Sequence, residues 1–198
     1  MISHEHKFIF LHIPKTAGTS MLEALSEYLH LSSPAKFRYG HPKLEEYFDS
    51  FNDKYNLEEY FIFSFCRNPF DRLVSAFNYI QGGGVNRFDE RLRDDLGLQN
   101  LEFKEFALNL LNQDLPEHFM PQVNFFAGRN LNFVGKFENI QQDFDIVCDK
   151  IGIPRQKLPH RNKRNHKHYT EYYDDETRQI VAEKYAKDIE YFGYKFEE

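Results

Sequence analysis

What the sequence lacks already narrows its function. Cysteine occurs twice in 198 residues, too rarely for a disulfide framework, and Cys66 and Cys148 are expected as reduced core residues. No apolar run approaches the roughly 18 residues of a membrane span, so no span is expected. The opening stretch MISHEHKFIFLHIPK carries an acid and histidines ahead of a short apolar run. That is unlike a secretory signal, and the expected compartment is the cytoplasm. Positive charge is in deficit too: 25 Lys and Arg against 31 Asp and Glu leave a formal net charge of −6, which argues against a general nucleic-acid binder. Internal repeats and low-complexity tracts are missing. Tryptophan is absent, yet aromatic residues make up 17% of the chain, with 21 Phe and 12 Tyr. They imply a core built largely from rings.

What is present reads as one domain, long enough to bury a real core. Lys7 to Ile13 (KFIFLHI) is a short apolar run closed by Pro14, the pattern of a buried strand. Met21, Leu22, Leu25, Tyr28 and Leu29 then recur at helical spacing between Ser20 and Leu31. Leu44, Tyr47, Phe48, Phe51 and Tyr55 form a second helical stripe. Tyr60 to Cys66 (YFIFSFC) is a second buried strand. Asn68-Pro69 follows it, an N-cap and first-turn pair, and the helix should run to Ile80 before Gly82-Gly83-Gly84 opens a mobile loop. Further helices are expected near Leu101–Leu111 and Glu117–Phe126, a third strand at Leu131–Val134, and a helix ending at Gly152. Asp174-Asp175-Glu176 marks the start of a last helix whose buried face includes Ile180, Val181, Tyr185 and Ile189. Strands alternating with helices predict an α/β fold with a mostly parallel sheet covered on both sides. In such folds ligands sit beyond the C-terminal strand ends.

Two strand-end loops carry the chemistry. In His12-Ile13-Pro14-Lys15-Thr16-Ala17-Gly18-Thr19-Ser20, a lysine, three hydroxyls, backbone N–H groups and a helix N-terminus converge, as a phosphate requires. It is not the signature GxxxxGK[ST], because the lysine precedes the glycine. In Cys66-Arg67-Asn68-Pro69-Phe70-Asp71-Arg72-Leu73-Val74-Ser75, Arg67 can fork onto a phosphate and Ser75 can add a hydroxyl two turns later. The strand ends in cysteine and arginine rather than in an acid placed to hold magnesium, so an anion site without a metal is expected.

Together these loops resemble the sulfotransferase superfamily, in the branch of the carbohydrate 2-O-sulfotransferases and their bacterial relatives. The likeness continues through Phe133-Val134-Gly135-Lys136-Phe137-Glu138 to Phe192-Gly193-Tyr194, nearly the whole chain. It implies a single sulfotransferase domain over residues 1–198, three-layered α/β/α with a P-loop-like strand–loop–helix. It also implies that 3′-phosphoadenosine 5′-phosphosulfate is the sulfate donor, that the desulfated nucleotide is the product, and that no metal is used. By this resemblance Lys15, Thr16, Ala17, Gly18, Thr19 and Ser20 wrap the 5′-phosphosulfate, and Arg67 with Ser75 holds the 3′-phosphate. The late basic loop Arg161, Asn162, Lys163 and Arg164 closes the nucleotide site; without the resemblance, such a charge run reads as a solvated face. Gly40-His41 resembles the family's Gly-His position, making His41 the base that takes the acceptor's proton, a task imidazole suits. Where the 2-O-sulfotransferases carry a second histidine, this chain has Tyr39. Lys15 is expected to assist catalysis as well as binding. His12 is expected to pack or shape the loop, and Gln122 either touches the acceptor or ties down a helix. The hydroxyl acceptor is left open among glycan, lipid and small molecule. Two other readings are a nucleoside-triphosphate-dependent kinase and a non-catalytic nucleotide-binding module.

Overall fold

The structure is a computed structural model that describes residues 1–29, 34–109, 114–159 and 167–197, with the side chains of Arg38 and Tyr39 excepted. The chain forms two compact units: Met1–Arg67 with Gln122–Arg164, and Asn68–Pro121 with Asn165–Glu198.

The first unit holds a four-stranded sheet in the order β1 (Ile2–Ser3), β2 (Phe8–Leu11), β3 (Phe61–Cys66) and β4 (Phe133–Lys136). β2, β3 and β4 are parallel, and β1 pairs antiparallel with β2. The sheet is thus mixed, with one antiparallel edge that the sequence reading did not include. β2 is buried at every position, which is why its run Phe-Ile-Phe-Leu shows no polar alternation. Helices α1 (Gly18–Leu25) and α7 (Ile140–Ile151) cover one face, burying Met21, Leu25, Phe144, Val147 and Cys148 against Phe8, Phe10, Phe63 and Phe65. On the opposite face Ile9, Leu11, Ile62 and Cys66 are buried too. Gly135 of β4 is needed because a β-carbon there would fall 2.5 Å from the Phe65 ring on the paired strand. α2 (Ala35–Tyr39) and α3 (Leu44–Phe51) complete this unit's helices among the described residues. α1 is shorter than expected, since the chain turns into a 3₁₀ segment at Ser26–Tyr28.

The second unit is helical: α4 (Pro69–Gln81), α5 (Arg87–Asp95), α6 (Phe103–Asn109), α8 (Asp175–Lys184) and α9 (Ala186–Phe192). Its core gathers Phe70, Phe77, Phe103, Phe106, Phe119, Tyr169 and Tyr185. α4 starts as its sequence predicts, with Pro69 in the first turn and the Asn68 side chain accepting from the Phe70 N–H at 3.0 Å.

Three expectations are corrected here. The stretch after Gly82 is a tethered turn, in which the buried Asp89 carboxylate accepts from the Tyr79 hydroxyl (2.7 Å), the Val85 N–H (3.0 Å) and Asn86 Nδ2 (3.0 Å). It leads straight into α5, a helix hidden from periodicity because among its residues Asp89 alone is buried. Residues 117–126 are not one helix. Pro121 interrupts the ladder; the His118 and Met120 carbonyls accept from Arg72 and the Phe119 carbonyl accepts from the Tyr185 hydroxyl. Only Gln122–Phe126 turns as a 3₁₀ segment. The last helix is broken at Tyr185, whose backbone (φ −106°, ψ 21°) leaves the helical region while its ring is buried.

Candidate functional site

The site is built at the C-terminal ends of β2 and β3. After Leu11 the chain passes through His12 to Ala17 and turns into α1 at Gly18. Two non-glycine residues of this short loop, Lys15 (φ 70°) and Ala17 (φ 68°), have left-handed backbone conformations. Side chains rarely adopt these, and their recurrence in one loop marks a geometry held by its surroundings. Alternation of this kind turns backbone N–H groups toward a common point, a concavity suited to anions. The first-turn N–H groups of Gly18, Thr19 and Ser20 have no acceptor inside α1 and lie at its positive end.

The hydroxyls of the loop differ in their tasks. Thr16 is fully buried and its Oγ1 donates to the Ile13 carbonyl at 2.9 Å, which stabilises the turn. Ser20 Oγ donates to the Pro159 carbonyl at 2.7 Å. A hydroxyl has one proton, so both are committed in this structure, and Thr19 is the exposed one.

Arg67 lies one residue beyond β3 and is almost fully buried. Its backbone is clamped by Gln122, which accepts from the Arg67 N–H and donates to the Arg67 carbonyl, each at 3.0 Å. Gln122 therefore acts as a tie. The guanidinium lies 4.2 Å over the Phe137 ring, just after β4, and donates to the Lys15 carbonyl at 3.3 Å. Ring stacking and the carbonyl contact hold the fork in one orientation. The parallel pairing of β2 with β3 thus brings the two predicted loops together. Ser64 strengthens that pairing by donating to the Leu11 carbonyl at 2.7 Å.

His41 lies between α2 and α3, half-buried, with its ring 4.4 Å from that of His12. His12 shapes the loop as expected: its ring occupies the space a side chain at Gly18 would fill. Ser75 is on α4, half-buried, in the helical unit. Arg161, Asn162, Lys163 and Arg164 lie outside the described residues; Pro159, just before them, is the residue bound by Ser20. Motif reading did not link Phe137 or Gln122 to Arg67, since an aromatic or an amide becomes a clamp only through the fold.

As a receptor for 3′-phosphoadenosine 5′-phosphosulfate the strand-end site fits in sign and kind. Lys15, Arg67 and first-turn N–H groups are all donors, as a polyanion needs. Among the described residues no group of three or more His, Cys, Asp or Glu is arranged for a metal ion.

The sequence model of the sulfotransferase family covers residues 1–195. The chain belongs to that family, in a branch like the carbohydrate sulfotransferases. It is 24% identical over 226 residues to carbohydrate sulfotransferase 14 of Danio rerio, covering 98% of this chain and 61% of that protein. To carbohydrate sulfotransferase 9 of Homo sapiens it is 26% identical over 217 residues, 95% of this chain and 47% of that one. An uncharacterized protein of Archaeoglobus fulgidus is 31% identical over 100 residues, 49% of this chain and 72% of its own length. The chain therefore spans about half to three-fifths of the two sulfotransferases' lengths. No solved structure matches it.

Proposed function

We propose that residues 1–198 act as one sulfotransferase domain that moves a sulfuryl group from 3′-phosphoadenosine 5′-phosphosulfate to a carbohydrate hydroxyl, without a metal. The observation that carries this is the contact between the Arg67 guanidinium and the Lys15 carbonyl at 3.3 Å, which joins the two anion-binding loops of a family member. When bound, the donor supplies the sulfuryl group, and the desulfated nucleotide is what remains.

Lys15 and the N–H groups of Gly18, Thr19 and Ser20 bind the 5′-phosphosulfate, with Thr16 and Ala17 holding the turn. Arg67 holds a second phosphate in a fixed fork, and the assignment of Ser75 to it rests on motif spacing. By the family resemblance alone, Arg161, Asn162, Lys163 and Arg164 are assigned to the nucleotide, three of them as cations and Asn162 as a neutral amide donor. His41 accepts the proton of the attacking hydroxyl. Lys15 keeps a positive charge beside the phosphate oxygen that gains negative charge, a preorganised electrostatic contribution. The carbohydrate acceptor follows the names of the relatives. The cytoplasm is kept as the proposed compartment on the sequence alone, which has too few cysteines for a disulfide framework.

The test is nucleotide choice. 3′-Phosphoadenosine 5′-phosphate at about 100 times its Kd should stabilise the fold by roughly 2.7 kcal/mol, raising Tm by about 5–10 °C for a chain of this size, with no added metal. AMP should do much less. Equal stabilisation by both would remove the second phosphate from the reading. A screen of carbohydrate acceptors with labelled donor then separates enzyme from binding module, since the module would bind nucleotide and label nothing.

A further inference from the structure

His12 stands between the two parts of the proposed site. On one side its ring lies against α1: a β-carbon on Gly18 would fall 1.6 Å from Nε2, 2.0 Å from Cδ2 and 2.4 Å from Cε1. On the other side it meets the His41 ring, centroids 4.4 Å apart and planes inclined by 56°. The Phe10 ring, 5.9 Å away and nearly parallel, backs it. The two histidines are mounted very differently. His12 directly follows β2, the strand buried at every position. His41 sits in the short connection between α2 and α3, and connections are the more yielding parts of a fold.

A general base works only within hydrogen-bond reach of its proton, and a displacement of about 1 Å can cost about 10²-fold in rate. A base carried on a connection needs a rigid neighbour. From these contacts we infer that His12 is a positioning residue, which passes the rigidity of β2 to the His41 ring and fixes that ring relative to the first turn of α1. The inference rests on the reading of His41 as base and of residues 15–20 as the donor loop. Gly18 is part of the device, because any side chain there would displace the His12 ring. A further consequence is communication: an anion seated on the loop is felt at His41 through His12.

Imidazole-detected nitrogen NMR on the intact chain tests this with 3′-phosphoadenosine 5′-phosphate as the probe. The His41 signals are assigned by their loss in His41→Ala. In the wild type the probe should shift them; in His12→Ala that shift should fall by at least half, while calorimetry shows the probe binding within about threefold of wild type. His12→Phe, which keeps a ring against both neighbours, should restore most of the shift and covers the case in which His12→Ala does not fold. Turnover adds a cycle, with any acceptor labelled in the carbohydrate screen. His12→Ala should lower kcat by roughly 10- to 100-fold with little change in donor KM, and should do nothing further to a protein already lacking His41. An unchanged His41 response in His12→Ala, or losses that simply multiply in the double variant, would overturn the positioning role. Failure of the wild type to bind the probe, or full activity of His41→Ala, would instead overturn the reading on which it rests.

Discussion

The sheet unit and the helical unit share an aromatic core chemistry but use their buried polar groups for different ends. In the sheet unit Thr16, Ser20, Ser64, Arg67 and Gln122 are all buried at or near the C-terminal ends of β2 and β3. Their hydrogen bonds fix the two loops to which the proposed function assigns one anionic ligand. In the helical unit Arg72, Asp89 and Thr177 are buried, and their bonds go to that unit's own backbone and turns: the 118–120 carbonyls, the turn before α5 and the first turn of α8. Burying a polar group costs free energy in either place unless it is bonded. In the first unit that cost yields two fixed loops at the proposed anion site, in the second a set of short helices held in place. Substitutions in the two units should therefore fail differently.

The largest effect separates chemistry from binding inside the sheet unit. His41→Ala should reduce transfer by roughly 10²–10⁴-fold, the usual contribution of a positioned base, with nucleotide affinity and Tm close to wild type. Lys15→Ala should weaken the desulfated nucleotide roughly ten- to a hundredfold, from a lost charge-assisted bond of about 1.5–3 kcal/mol. Calorimetry and initial rates read both. A His41→Ala protein that is unfolded by circular dichroism would place this histidine with the structural groups and break the contrast.

Arg72 is the matching test in the helical unit. Its side chain is almost wholly buried, donates to the His118 carbonyl at 3.2 Å and to the Met120 carbonyl, and lies 5.9 Å over the Tyr185 ring. Arg72→Met keeps length and apolar stem but removes both donors. Two charge-assisted bonds of about 1.5–3 kcal/mol each make this a loss of about 3–6 kcal/mol, or roughly 6–24 °C in Tm, measured by thermal unfolding. Below the transition, nucleotide affinity should stay near wild type. A large fall in affinity with Tm unchanged would mean that the helical unit also serves the anion site.

The same contrast explains what the sequence revealed. β2 and β3 were legible because a strand buried on both faces is a continuous apolar run, and here each ends at a Pro-containing loop. The two loops proposed to bind the donor drew notice because Lys15 lies four residues beyond β2 and Arg67 one residue beyond β3. α4 was legible from its Asn-Pro start. β1 was missed: two residues paired as a hairpin edge leave no periodicity. α5 was missed because its charged exterior exceeds its buried face. The 117–126 stretch read as helix because apolar spacing was counted while the carbonyl partners, Arg72 and Tyr185, lie 46 and 66 residues away along the chain. In the site, residue types were visible but supports were not. Nothing local to Gln122 or Phe137 shows that each meets Arg67.

The smallest effect tests the start of α4, in the helical unit but one residue from Arg67. Asn68 is buried and has two roles: Oδ1 accepts from the Phe70 N–H at 3.0 Å, and Nδ2 donates to the Lys195 carbonyl at 2.8 Å. Asn68→Ala removes both, and loss of the cap alone should cost about 1 kcal/mol, or roughly 2–4 °C in Tm. Asn68→Asp separates the roles. It retains an oxygen for the Phe70 N–H and places negative charge at the helix N-terminus, which is favourable, but it has no proton for the Lys195 carbonyl. If the cap dominates, the aspartate variant should melt near wild type and well above the alanine variant. If the tie to Lys195 dominates, the two should melt together, because a carboxylate facing a carbonyl gains nothing there. Either order leaves Arg67 clamped by Gln122, so nucleotide affinity should stay within about threefold of wild type in both. A larger drop would show that the position of Arg67 depends on the cap that follows it as well as on the amide that holds its backbone.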